Sequence, residues 1–130
     1  MANFGPKSAL ALAILGTGLL GQAPAQAAPA NRYDGNWSVL IITDSGTCDR
    51  AYRYALRLKN GVVYYDGEAG IDVSGRVSPS GQVQVSLKRG DQGAKGTGRL
   101  SGTTGSGTWS GKSSSSQCSG QWQAERRAAN

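Results

Sequence analysis

Asp66, Glu68 and Asp72 stand within the nine residues "YYDGEAGID", close enough to gather oxygen ligands for Ca²⁺ or to divide into an acid and a base. Their spacing is not that of an EF-hand loop, and the stretch reads as a turn carrying acidic side chains. The chain contains no histidine. That excludes Ser-His-Asp and Cys-His catalysis and every imidazole metal site. The two cysteines, Cys48 and Cys118, lie 70 positions apart without C-x-x-C spacing. A structural disulfide is the expectation, with free thiols or a redox couple as the alternative. "GTGRLSG" precedes no helical pattern and lacks the Lys-Ser/Thr pair of a phosphate-binding loop. By subtraction, the sequence predicts no enzyme, no metal centre and no cofactor.

Binding chemistry is better represented. In "RAYRYALRLKNG", residues 50–61, Tyr52, Tyr54, Leu56 and Leu58 alternate with Arg53, Ala55, Arg57 and Lys59. The apolar parity is expected inside, because unpaired cations in an interior are strongly unfavourable. Arg53, Arg57 and Lys59 then form an outer basic stripe, either a docking face for an anionic partner or a solvated strand face. Trp37, Trp109 and Trp122 are candidate contacts, although tryptophans more often serve a core. Lys88, Arg89 and Asp91 make a candidate loop: Arg89-Gly90-Asp91 spells a tripeptide read by adhesion receptors, and Gly-Asp is also ordinary hairpin chemistry. Tyr52, Tyr54, Tyr64 and Tyr65 among cations have the composition of a nucleic-acid stacking platform. In residues 50–59, however, aromatics and cations take opposite faces, so no specific nucleic-acid partner is expected.

These residues sit on strands. From Asn31 onward, short alternating segments are separated by Gly, Asn, Asp, Ser and Pro, with no helical period. Strands are expected at residues 36–43, 50–59, from 62 through "VVYYDGEA", 71–77, 82–88, 94–100, 106–111 and 117–125. The run from Val39 to Ile42 suggests burial on both faces or a covered segment. Asn60-Gly61 predicts a type I′ hairpin turn. Pro79 fixes φ in the turn at residues 78–81, and Gly75 suggests a bulge. The spacing predicts an all-β fold, a small antiparallel up-and-down barrel of about eight strands with one disulfide, closed so that no edge is exposed. Glycines in the late strands permit bending and close approach; a disordered tail is the competing interpretation. The bulky apolar parity is expected to fill the interior.

The amino terminus reads as an export signal. Lys7, the apolar run at residues 8–21 and "APAQAA" supply a basic region, a short hydrophobic region and a small-residue cleavage site after Ala27. The run is broken by Gly16 and Gly18 and falls short of the roughly 20 residues that span a bilayer, so no transmembrane anchor is expected after processing. Removal of residues 1–27 leaves 103 residues, 28–130, enough for one domain with an ordered core at 33–127. That portion carries 13 Lys+Arg against 8 Asp+Glu, favouring anionic surfaces without naming one. The expected location is periplasmic or secreted.

Gly35-Asn36-Trp37 resembles the opening of lipocalin-type and avidin-type barrels. That resemblance implies a Trp plugging one end, with Arg126 or Arg127 packed across it. More broadly, residues 33–127 resemble a family of small exported bacterial β-proteins through "YDGNW", "CDRAYRY", "GRLSG", "GSGTWSG" and "CSGQW". That likeness implies architecture and compartment and nothing catalytic. Two functional expectations follow: an exported noncatalytic binding module engaging an envelope or extracellular protein, a glycan, a polyanion or a small apolar ligand; or an inhibitor or docking protein acting through the hairpin at residues 88–93. A cavity of roughly 300 Å³ or more would favour a ligand carrier, a solid interior the second.

Overall fold

The computed structural model describes residues 32–128. The expected signal peptide, residues 1–27, lies outside the described residues. Alternating side chains and tight turns produce eight antiparallel strands: β1 (Gly35–Ser45), β2 (Ala51–Lys59), β3 (Val62–Tyr64), β4 (Asp72–Val77), β5 (Gln82–Arg89), β6 (Gln92–Ser101), β7 (Thr104–Lys112) and β8 (Gln117–Arg127). Each pairs with the next, and β8 returns to β1 through a ladder from Asn36↔Arg127 to Ser45↔Ser119. The sheet is therefore a closed all-β barrel, and closure leaves no free edge.

Period-two alternation sorts the two surfaces. Val83 and Val85 on β5 belong to the interior, while Gln82, Gln84 and Lys88 are exposed outside. Thr104, Ser106, Thr108 and Ser110 occupy the outer positions of β7. In β1, Val39 and Ile41 pack towards the core, whereas the alternate residues Leu40 and Ile42 are half-buried on the outer parity. The apolar run is thus not enclosed on both faces, because a barrel wall has only one dry side.

Turn chemistry fixes one end. Asn60 and Gly61 take φ of 53° and 77°, the positive pair that a type I′ turn requires. The Asp34 carboxylate accepts hydrogen bonds from both of their amides, at 2.8 and 3.3 Å. This draws residues 33–34 across the base, where Tyr33 is buried and its carbonyl accepts the Trp37 indole N–H at 2.8 Å. Tyr33, Trp37, Leu58, Val77, Val83 and Leu100 form much of a dry floor.

Two local expectations need correction. Gly75 does not mark a bulge: it pairs with Val85 in a ladder without a register shift, and a Cβ there would stand 2.5 Å from the Gln84 carbonyl oxygen. The shift falls instead between Thr43 and Ser45, where β1 meets β8. Strand β3 also stops at Tyr64, and its ladder to β4 consists of Val62↔Arg76 alone. The residues beyond it turn away, with Asp66 held by Arg57.

Cys48 and Cys118 are joined in a disulfide across 70 positions. It ties the β1–β2 loop to the start of β8 at the end of the barrel opposite Trp37. The Thr43 hydroxyl strengthens the same corner by donating to the Asp49 carbonyl at 2.6 Å.

Candidate functional site

Along β2 and β5 burial falls from floor to rim, whereas β1 and β8 are buried again at Thr43 and Cys118 beside the disulfide. Along β2, Leu58 is buried, Leu56 and Tyr54 are half-buried, and Tyr52 is 44% exposed. Along β5 the same gradient runs from buried Val83 through half-buried Val85 and Leu87 to exposed Arg89. A close-packed interior would bury all of these side chains to a similar degree. Their graded exposure marks open space, a cavity of about 480 Å³ bordered by Val39, Ile41, Leu56, Val73, Val85 and Trp109 among others. The interior is filled at its floor, against the indole of Trp122 and beneath the disulfide, and open between them. Small-molecule sites commonly enclose about 300–1,000 Å³.

The glycine-rich strands shape this space. Gly98 and Gly107 face each other across β6 and β7, and a Cβ would stand 2.5 Å from Trp122 Cζ2 at Gly98 and 2.6 Å from Trp122 Nε1 at Gly107. The indole takes the volume their side chains would need and donates to the Thr97 carbonyl at 3.0 Å. Trp109 lies opposite Gly120 of β8 and reaches past it to donate to the Ile42 carbonyl of β1, also at 3.0 Å. These strands are ordered barrel wall, not a tail.

The rim is formed by residues 46–50, 65–71, 90–91 and 113–116, with the disulfide at one side. Tyr52 and Tyr54 pack with ring centres 4.7 Å apart, and Tyr65 meets Tyr54 edge-on at 5.8 Å. Burial, followed by Tyr52 and Tyr65 nearby, pushes the Tyr54 phenol above its ordinary pKa. Tyr54 therefore stays a neutral hydrogen-bonding group at the mouth. Glu68 lies 3.6 Å from Arg89 at the same end.

The candidate residues separate into three places. Trp37, Trp109 and Trp122 are brought together around the cavity, but all three indole N–H groups are already donated to backbone carbonyls. They contribute apolar surface and no free donor. Arg53, Arg57 and Lys59 lie on the other parity of β2. Arg53 donates to Ser38 Oγ at 2.9 Å, and Arg57 packs over Tyr64 and pairs with Asp66 at 3.0 Å, which raises the Arg57 pKa through that hydrogen bond. The stripe is partly engaged within the protein. Lys88, Arg89 and Asp91 surround the β5–β6 turn, where Gly90 at φ 60° and Asp91 at negative φ match a type II′ hairpin. Asp91 accepts from the Ser114 amide at 3.3 Å, and hydrogen bonding to Ser114 lowers its pKa.

At the closed end, Arg126 lies 5.2 Å over the Trp37 ring, and its Nη2 donates to the Arg32 carbonyl at 2.9 Å. Asp66 and Glu68 each face an arginine, and among the described residues no cluster of three or more His, Cys, Asp or Glu could hold a metal ion. Sequence reasoning missed Arg89 as a cavity residue because it was read as a loop tip. The available signal was parity, since Arg89 continues the row of Val83, Val85 and Leu87. No family model, curated protein or solved structure matches the chain.

Proposed function

We propose that this protein is an exported, noncatalytic binding module that takes a small, largely apolar molecule into its barrel. The observation that carries this reading is the open cavity of about 480 Å³ above a dry floor. Inward-facing Val, Leu and Ile side chains left exposed to water are unfavourable, and a ligand covering them recovers that burial at roughly 25 cal/mol per Å² of apolar surface. The absence of histidine from the sequence and the cysteine pair held in a disulfide support the noncatalytic part. The signal-like amino terminus supports export, and the disulfide accords with an oxidising compartment.

The hairpin at residues 88–93 gives the inhibitor or docking reading less support. Its Asp91 accepts a hydrogen bond from the Ser114 amide of the neighbouring loop, which draws the tip towards the rim.

Titration of the processed, oxidised protein with the neutral dye N-phenyl-1-naphthylamine tests the proposal. Saturable fluorescence enhancement near one dye per chain is expected. The Leu56→Trp variant, which narrows the cavity, should weaken it while retaining the β circular-dichroism spectrum. Folded wild-type protein showing no saturable enhancement would remove the basis for a ligand role.

A further inference from the structure

Resting on that reading of the cavity, we infer that the molecule taken up is an amphipathic monoanion, its apolar part inside the barrel and its anionic group at the mouth beside Arg89. The depth of the cavity accepts nothing polar. The donors of Trp37, Trp109, Trp122 and Thr43 are all committed to backbone carbonyls, at 2.8, 3.0, 3.0 and 2.6 Å. The strand backbones are paired around the barrel except at the β3–β4 seam, where Val62↔Arg76 stands alone. A polar group driven into this space would lose its hydrogen bonds to water and find none in return.

The border has the opposite character. Of the charged residues along it, Arg89 lies on an inward parity, with Glu68 and Asp49 in the neighbouring loops, whereas Lys95 and Lys112 lie on the outer parity of β6 and β7. Arg89 ends the inward row of β5, and its counterion Glu68 stands 3.6 Å away, with side chains 56% and 53% exposed. So loose and solvated a pair leaves guanidinium donors free for a better acceptor. A carboxylate or similar anion at this side of the mouth gains a charge-assisted contact while its tail covers the apolar wall. A cation placed beside Arg89 would meet a like charge.

Isothermal titration of the processed, oxidised protein with octanoate, butanoate, 1-octanol and octylammonium at low salt tests the inference. Octanoate should bind about tenfold more tightly than 1-octanol, as one charge-assisted hydrogen bond allows, with octylammonium and butanoate weaker still. Arg89→Gln should erase the acid's advantage over 1-octanol, with the circular-dichroism spectrum as the folding control. Equal affinity for acid and alcohol, preference for the amine, or an Arg89→Gln variant that keeps the acid's advantage would each overturn the anionic assignment while leaving the cavity reading intact. Butanoate binding as well as octanoate would reduce the site to surface ion pairing and overturn the amphipathic assignment. Failure of all four probes would bring down the cavity reading and this inference with it.

Discussion

At Gly107 a side chain is forbidden by a neighbour: its Cβ would stand 2.6 Å from Trp122 Nε1 and would also collide with the Thr97 carbonyl oxygen that this nitrogen bonds. Both obstacles belong to one hydrogen bond, so the smallest possible addition attacks packing and polar satisfaction together. Gly107→Ala is expected to destabilise the protein by about 1–3 kcal/mol, the range for overpacking a tight interior. Denaturant unfolding followed by tryptophan fluorescence checks this, since displacement of Trp122 should also alter the native emission. The inward glycines of β6 and β7 are therefore the complement of the indoles. Composition alone allows them to be mistaken for a linker, because the tryptophan that needs the space comes from another strand.

Among the elements, the β3–β4 seam stands apart. The ladder between β6 and β7 runs from Gly93↔Lys112 to Ser101↔Thr104, whereas β3 meets β4 only at Val62↔Arg76. Residues 65–71 bridge that gap as a loop at the rim, fastened by exposed contacts such as Arg57 with Asp66 and the Glu68 amide with the Tyr65 hydroxyl at 3.0 Å. Few buried contacts and a short ladder mean a low local opening free energy. Amide hydrogen exchange should be fastest in residues 64–72 and slowest in β1 and β8. Uniform protection around the barrel would contradict this ranking. The hairpin turns were legible in sequence because Asn60-Gly61 and Gly90-Asp91 carry their geometry locally. The shortness of β3 was not, since "VVYYDGEA" alternates well enough to continue, yet the strand ends at Tyr64.

Over the described residues the barrel is apolar within and largely polar without. That is the reverse of an outer-membrane barrel, whose apolar band faces lipid and whose lumen is polar. The Ser, Thr, Gln and Lys positions on the outer faces of β5 and β7 suit water. A hollow core buries less apolar surface than a packed one, and so small a domain has little to spare. The disulfide compensates: closing a loop of about 70 residues restricts the unfolded chain by an amount worth about 4 kcal/mol in the chain-entropy account. The Cys48→Ser/Cys118→Ser double variant should therefore unfold at a clearly lower denaturant midpoint. It should also lose order in residues 46–50, which the bridge holds at the rim. An unchanged midpoint would show that the staple contributes no stability.

By itself the sequence determined the all-β class, the number and spacing of strands, the type I′ turn at Asn60-Gly61, the Cys48–Cys118 partnership and the inward parity of Tyr52, Tyr54, Leu56 and Leu58. Each is written in neighbouring residues or in the only available pairing. Tertiary structure alone decided that the interior is hollow and that Trp37, Trp109 and Trp122 spend their donors on the backbone. The volume left inside depends on how a closed barrel sets its radius against the summed size of side chains from all eight strands, and no local window of the chain contains that sum.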